Sequence, residues 1–371
     1  MDKELFEKII LSTPSEKEDF EHFLNNLVIT CIQEGKHLVS ISKNILPIIE
    51  KMEFLSDPIK KKLMAITSPK YGISNFQSLI EFIQPTDIII ITKDDLTIDE
   101  SENIVYRYIP YKYFLDSSHW QKTSIVGEHI SNDIKVYKNL FTKYYQTVHK
   151  LKFPYYFDNR HGGGSPIKEV LEDFCQEEDK SFHLFLVDGD RESPQKSGMG
   201  STAKGINNSY KKCQQSKKVN HYKSKLKILE VKELENLIPI HWFEEKDNEF
   251  YKTYRLLLSE DISIFKFFDI KKGVYCANSS KNIKKIEECD LECNKPMKYY
   301  CEKAKKMKID FFKINLSENK ILETFLNDFE DNIDDLVKLI DDCNIEEVKI
   351  LWNNLGRVLY SWGIGFEKQR I

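Results

Sequence analysis

Two aspartates one residue apart follow a strongly apolar segment in the middle of the chain. The segment FHLFLV, residues 182–187, runs directly into Asp188 and Asp190. A strand that ends this way sends both carboxylates to one side of the sheet, where they repel each other. A divalent cation would offset this repulsion, and oxygen ligands favour Mg²⁺ or Mn²⁺ over zinc. The alternative is that Asp-Gly-Asp only forms a turn.

Two earlier segments are also predicted to be strands. TSIVGE, residues 123–128, ends in Glu128, and FPYYF, residues 153–157, leads to a glycine run. Amphipathic helical patterns separate the three segments, which predicts an α/β fold with a parallel sheet flanked by helices. The carboxyl ends of such strands share one edge, where ligands bind. We therefore expect the acidic residues to meet at this edge. The glycines expected to support it through close backbone approach are Gly162, Gly163 and Gly164.

A basic segment follows the aspartates. Residues 193–229 contain nine lysines and no acidic residue, although the whole chain has a formal net charge of -4. This local charge suits the phosphate backbone of a nucleic acid. The length and polarity of the segment are typical of a mobile insertion, and a solvated loop without function is the alternative. The lysines expected to contact nucleic acid are Lys204, Lys211, Lys212, Lys217, Lys218, Lys223 and Lys225.

Three segments follow one another along the chain: IVGEHISND, RHGGGSP and LFLVDGDRESP. In this order they resemble a Toprim domain, the fold shared by topoisomerases, primases and OLD-type nucleases. Downstream, LKILEVKELENLIP (226–239) and FKFFDIKKGV (265–274) resemble elements of OLD-like Toprim effectors in bacterial anti-phage systems. The resemblance covers roughly residues 120 to 275.

The resemblance implies a site with one or, more typically, two divalent ions, Mg²⁺ or Mn²⁺. The metal ligands that it implies are Glu128, Asp133, Asp188, Asp190 and Glu235, with Glu233 as the alternative to Glu235. The catalytic residues that it implies are Glu128, as ligand or acid/base, and Lys272 or Lys271 beside the scissile phosphate.

The sequence departs from the family pattern after the glutamate. Gly127 precedes Glu128 instead of following it, and Asp133 lies five residues further on, where four are common. Asp133 is therefore either a metal ligand or only the N-cap of the next helix.

The function that these features predict is metal-dependent hydrolysis of nucleic acid, DNA or RNA, by an effector of bacterial anti-phage defence. Paired cations would hold the phosphate and activate a water. Such an enzyme is expected to be restrained by a regulatory protein or a nucleic acid. One alternative is a non-catalytic nucleic-acid-binding subunit with the same fold. Another is a primase-like or topoisomerase-like enzyme, although the sequence shows neither a zinc ribbon nor a distinct catalytic tyrosine.

Three regions are predicted. Residues 1–118 are mainly helical with one strand near 86–95, and are either a regulatory or docking module or a scaffold. Residues 119–275 form the Toprim-like domain, with 193–229 as its lysine-rich insertion. Residues 276–371 are helical; core packing is the main expectation, and a homo-oligomer or partner surface is the lesser one.

Cysteine usage and hydropathy indicate a cytoplasmic protein without a membrane segment. The eight cysteines follow no recognisable leader, which favours thiols or a metal site over disulfides. A structural zinc site is conceivable, but ordinary cysteines are the stronger expectation because the spacing lacks a tight C-x₂-C pair. The four residues of that site would be Cys276, Cys289, Cys293 and Cys301.

Overall fold

The computed structural model describes most of the chain. The described residues are 3–41, 43–66, 76–101, 103–128, 132–161, 167–176, 181–194, 198–216, 218–274, 295–310, 314 and 320–367.

Seven strands form two sheets. They are β1 (Asp87–Thr92), β2 (Thr97–Glu100), β3 (Val105–Pro110), β4 (Thr123–Gly127), β5 (Phe157–His161), β6 (His183–Val187) and β7 (Ser224–Ile228).

Sixteen α-helices are described. They are α1 (Lys3–Ile10), α2 (Pro14–Leu27), α3 (Leu46–Lys51), α4 (Asp57–Ile66), α5 (Phe76–Ile83), α6 (Asp133–Val136), α7 (Thr142–Val148), α8 (Ile167–Gln176), α9 (Ser201–Gln215), α10 (Val219–Tyr222), α11 (Trp242–Lys246), α12 (Asn248–Glu260), α13 (Lys295–Lys306), α14 (Ile321–Phe329), α15 (Ile333–Asp341) and α16 (Glu346–Gly363). Two π-helical segments, Val28–Gln33 and Tyr137–Phe141, follow α2 and join α6 to α7. The 3₁₀ turns are Lys43–Ile45, Tyr111–Phe114, Ser117–Trp120, Leu234–Leu237 and Ile262–Lys266.

The larger sheet is entirely parallel, as the sequence predicts. Its strand order is β5-β4-β6-β7. The chain leaves β4 on one side to form β5 and then crosses to the other side of β4 to form β6. The order therefore reverses at β4, which creates a switch point between β4 and β6.

Helices cover both faces of this sheet because side chains alternate along its strands. Val126, Phe185 and Val187 pack against α8 and α9 through the apolar side chains of those helices. Their neighbours Ile125 and Leu184 belong to the main core on the opposite face. This alternation of buried residues produces a helix–sheet–helix arrangement.

The smaller sheet belongs to the first 118 residues. Its order is β1-β3-β2, with β1 parallel and β2 antiparallel to β3. The strand expected near residues 86–95 is confirmed as β1. The sequence analysis missed β2 and β3, whose charged residues hide the apolar pattern of a strand.

The second strand of the parallel sheet lies later in the chain than expected. β5 begins at Phe157, where the predicted strand 153–157 ends. Residues 154–156 instead bond to the C-terminal segment: Tyr156 N donates to Gly363 O at 2.8 Å, and Gly365 N donates to Pro154 O at 2.9 Å. The apolar run therefore covers the end of α16, and the polar sequence DNRH forms the edge strand.

The lysine-rich segment is not an insertion, which corrects that expectation. Residues 193–229 contain α9, α10 and β7, the last crossover and strand of the sheet. Ala203, Ile206 and Tyr210 of α9 are buried against the sheet. The polarity of the segment misled the sequence analysis, because only one narrow face of α9 is apolar.

One continuous core joins the three predicted regions. It runs from Leu5 in α1 to Phe366 after α16. The helical C-terminal part packs in the core as expected: Trp352 of α16 stacks on Phe141 with ring centroids 3.7 Å apart. No helix within the described residues is both long enough and apolar enough to cross a membrane.

Candidate active site

Acidic residues lie at the carboxyl ends of β4 and β6, on the two sides of the switch point. In the register of these strands Val126 is opposite Phe185. Extended by two residues, this register places Glu128 level with Val187 and one residue short of Asp188. The two carboxylates therefore flank the crevice in which open α/β sheets bind ligands.

The Asp-Gly-Asp loop is held by backbone contacts that only glycine permits. Gly189 N donates to Val231 O at 3.1 Å and Asp190 N donates to Lys232 O at 2.9 Å. A Cβ on Gly189 would lie 2.2 Å from Val231 O. The segment after β7 thus runs against the loop and brings its own acidic residues to the same edge.

Asp188 is the centre of a cluster of negative charge. Burial is the largest cause that raises its pKa well above the usual value, although part of the residue remains exposed. Repulsion from Glu128, Glu235 and Asp133, and more weakly from Glu233, raises the pKa further. We call these five residues, which come from separate parts of the chain, the acidic cluster.

Lys271 lies among these carboxylates and pairs with two of them. Its Nζ lies 2.9 Å from Glu235 Oε1 and 3.4 Å from Glu233 Oε2. Burial raises the pKa of Glu235 to about 7 and outweighs the opposing attraction of Lys271. Burial lowers the pKa of Lys271, but the negative charges of Glu235 and Glu233 outweigh burial and raise this pKa. Lys271 therefore stays charged, whereas Glu235 titrates near neutral pH.

The structure distinguishes between several alternatives of the sequence analysis. Lys271 lies in the acidic cluster, whereas the Lys272 side chain is 56% exposed with its Nζ 3.7 Å from Asp269 Oδ2. Asn132 occupies the N-cap position of α6 and Asp133 is the first residue of the helix, so the N-cap interpretation of Asp133 is wrong. Glu233 and Asn236 form a capping box on the 3₁₀ turn, which gives Glu233 a structural role.

Asp190 packs against Gly200, the residue that precedes α9. Its φ is 48°, and a Cβ on Gly200 would lie 2.2 Å from the Asp190 Cβ. Gly200 N donates to Gly189 O at 3.0 Å, so the loop and the helix start are bonded to each other.

The sequence analysis missed Tyr137 as a site residue. It is 2% exposed and begins the π-helical segment, a distortion often found at functional sites. Burial, followed by Asp188, Asp133 and Glu128, raises its pKa well above the usual value. Its hydroxyl therefore keeps a proton that it can donate beside the carboxylates. The spacing of Tyr137 four residues after Asp133 is the signal that could have identified it.

The donors of the acidic cluster fit a hard divalent cation in type. All are carboxylates, and the raised pKa of Asp188 reflects negative charge that a cation would offset. Within the described parts of the chain, no three His, Cys, Asp or Glu side chains already stand together as a metal-binding group.

Four of the predicted nucleic-acid-binding lysines are on the surface. Lys204, Lys211 and Lys212 are exposed on α9, and Lys218 is exposed just before α10. Lys204 lies one helical turn after Gly200, which packs against Asp190. Lys211, Lys212 and Lys218 lie at and beyond the other end of α9.

Two other lysines of that set are not available to a polyanion, which corrects their assignment. Lys223 is 0% exposed, with its Nζ 2.5 Å from His119 Nδ1 and 5.2 Å from the centroid of the Phe114 ring. Lys225 Nζ lies 2.5 Å from the buried Asp87 Oδ2. Both face the core because β7 buries residues that the sequence analysis placed in a loop.

Some predicted residues lie outside the described part of the chain. They are Gly162, Gly163, Gly164, Lys217, Cys276, Cys289 and Cys293. Cys301, the fourth residue of the conceivable zinc site, is buried in α13.

A large cavity lies away from the acidic cluster. It measures about 660 Å³ and is lined mainly by apolar side chains of α5, β1 and the end of α16. Polar groups in its wall already have partners: His37 Nε2 bonds to Gln121 O at 2.8 Å. We therefore assign the chemistry to the open sheet edge.

No family model, no curated protein and no solved structure matches this chain.

Proposed function

We propose that this protein hydrolyses phosphodiester bonds of nucleic acid with divalent cations bound at the acidic cluster. One observation carries the proposal: partly buried carboxylates from separate chain segments lie near the switch point of a parallel sheet and repel one another there. Buried like charges of this kind are costly for the fold. Perturbed carboxylates at a ligand-binding edge indicate a functional site.

Asp188 and Glu128 would hold the first cation, with Asp133 and Glu235 as further ligands. A bound Mg²⁺ or Mn²⁺ supplies activation of a water and stabilisation of the departing oxygen. Glu235 has a pKa of about 7 without a cation, so cation binding there would release a proton near neutral pH.

Lys271 and Tyr137 would act on groups other than the cation. The ammonium of Lys271 remains charged and can neutralise an anionic phosphate oxygen. The hydroxyl of Tyr137 can donate a hydrogen bond that orients a carboxylate or the attacking water.

The exposed lysines of α9 and Lys218 suit the polyanionic substrate. Exposed ammonium groups attract the phosphate backbone without reading its sequence, so binding should weaken steeply with salt. DNA and RNA both satisfy this chemistry. The resemblance to OLD-like Toprim effectors supports a role in anti-phage defence under control of a partner.

The ion pairs of Lys271 favour a second candidate, a nucleic-acid-binding subunit without catalysis. Lys271 compensates Glu233 and Glu235 within the chain itself. If this lysine neutralises the site permanently, the fold needs no cation.

The test compares cleavage of DNA and RNA in Mg²⁺ or Mn²⁺ by the wild type and by Asp188→Asn. We expect the variant to lose at least about 100-fold in rate, because it removes a ligand charge at the centre of the site. The matched control is Asp158→Asn, an exposed residue near the amino end of the sheet. Equal cleavage by wild type and Asp188→Asn would reject the catalytic site. Nucleic-acid binding without Mn²⁺ binding, measured by calorimetry, would favour the second candidate.

A further inference from the structure

Two cysteines are joined on one face of the parallel sheet. Cys175 near the end of α8 and Cys213 near the end of α9 form a disulfide, with Cα atoms 5.5 Å apart. The sequence analysis favoured thiols, so this bond corrects that expectation. The other described cysteines, Cys31, Cys301 and Cys343, are buried thiols. Cys175 differs from them because it is only partly buried and thus within reach of small molecules.

The disulfide encloses the central acidic motif. The two cysteines are separated by 38 positions, and the loop that they close contains β6, Asp188, Asp190 and most of α9. The start of α9 bonds to the motif through Gly200 N and Gly189 O. A cross-link that closes a loop mainly restricts the opened forms of the segment inside it. Here that segment carries two of the predicted metal ligands.

One ammonium group lies beside the Cys175 end of the pair. Lys218 Nζ donates to the carbonyl of Gln176, the neighbour of Cys175, at 3.0 Å. A nearby ammonium group stabilises a thiolate, the form that attacks an oxidant or a disulfide.

We infer that Cys175 and Cys213 are a reversible redox pair that fixes the segment carrying Asp188 and Asp190 when it is oxidised. A hydroperoxide is the class of oxidant that fits. One thiolate attacks the peroxide, the peroxide bond breaks, and an alcohol leaves; the second thiol then displaces water from the sulfenic acid. The two sulfurs lose two electrons and the peroxide gains them. A small thiol such as glutathione reverses the change by exchange.

The first test follows the cysteines of the folded wild-type protein by differential alkylation and peptide mapping. We expect the peptides with Cys175 and Cys213 to become protected together after hydrogen peroxide and labelled again after millimolar glutathione. The buried Cys343 should change in neither step and is the internal control. A pair that stays cross-linked in glutathione, or stays labelled after peroxide, would overturn the inference.

The second test measures the effect on the acidic motif without any activity assay. Hydrogen exchange of residues 183–200 should be about tenfold slower in the oxidised than in the reduced protein. The melting temperature should fall by roughly 4 to 10 °C on reduction. Cys175→Ser should match the reduced wild type in both oxidants and reductants, whereas Cys343→Ala should retain the difference. Equal exchange in the two redox states would show that the bond does not act on this motif.

Discussion

Asp87 and Asp188 are both shielded from solvent, but the charges around them have opposite signs. Asp87 in β1 is 5% exposed and is met by Arg107, with Nη2–Oδ1 at 2.8 Å, and by Lys225, with Nζ–Oδ2 at 2.5 Å. Burial alone would raise the pKa of Asp87, but these two cations outweigh it and lower the pKa. Around Asp188 burial and, after it, repulsion from other carboxylates raise the pKa.

The difference separates a structural role from a functional one. The Asp87 network connects the two sheets, because β1, β3 and β7 each contribute a charged group and Trp362 adds a hydrogen bond at 2.9 Å. Its charges are satisfied within the chain. In the acidic cluster Lys271 pairs with Glu233 and Glu235, while burial and the surrounding carboxylates raise the pKa of Asp188. A carboxylate perturbed in this way is typical of a functional site.

The largest expected effect is the loss of stability when the Asp87 network is broken. Asp87→Asn leaves Arg107 and Lys225 as buried charges and should lower the free energy of unfolding by about 3–5 kcal/mol. Urea denaturation measures this, with the exposed Asp99→Asn of the same sheet as control. A loss as small as that of the control would mean that the network contributes little to the fold.

Unlike the Asp87 network, the acidic cluster should make the fold less stable as pH rises. Glu235 has a folded-state pKa of about 7 against an ordinary 4.5, so the folded state binds more protons than the unfolded state between these values. The free energy of unfolding should therefore fall as pH rises from about 4.5 to about 7, on the order of 3 kcal/mol. Asp188 acts in the same direction. Urea denaturation across this range should show a decline in the wild type and a weaker one in Glu235→Gln; parallel curves would contradict the assignment.

The Asp-Gly-Asp loop should depend on close backbone packing. Gly189→Ala places a Cβ against Val231 O and should cost about 1–3 kcal/mol in the free energy of unfolding. Gly198→Ala, where a Cβ meets nothing within 4 Å, is the matched control. If thermal melting shows the two variants to be equally stable, the loop is held less tightly than the contacts indicate.

The smallest effect should be a gain. Asp188→Asn removes a buried charge among like charges and should raise the free energy of unfolding by about 1–2 kcal/mol without added metal, as at other functional sites. Mn²⁺ should raise the melting temperature of the wild type and not that of the variant. Asp158→Asn should behave as the wild type in both conditions. A destabilised Asp188→Asn would remove the contrast with Asp87.

Several parts of the site could be predicted from short segments of sequence. The run before Asp188 and the strand before Glu128 are apolar enough to identify buried parallel strands, and the helical pattern of α6 and α7 follows from its spacing. The rule that carboxyl ends of parallel strands share an edge then placed Glu128 and Asp188 together. Tyr137 escaped notice because its helix face is equally consistent with plain core packing.

The amino-acid sequence by itself determined the apolar strands, their parallel arrangement and the acidic residues that end them, since each depends on local patterns and chain order. Only the tertiary structure decided which charges are compensated. Lys225 and Lys211 look alike in the sequence, yet one pairs with Asp87 inside the protein and the other is exposed on α9. The pKa of a carboxylate depends on burial and on charges brought near from distant positions, and no local pattern contains either quantity.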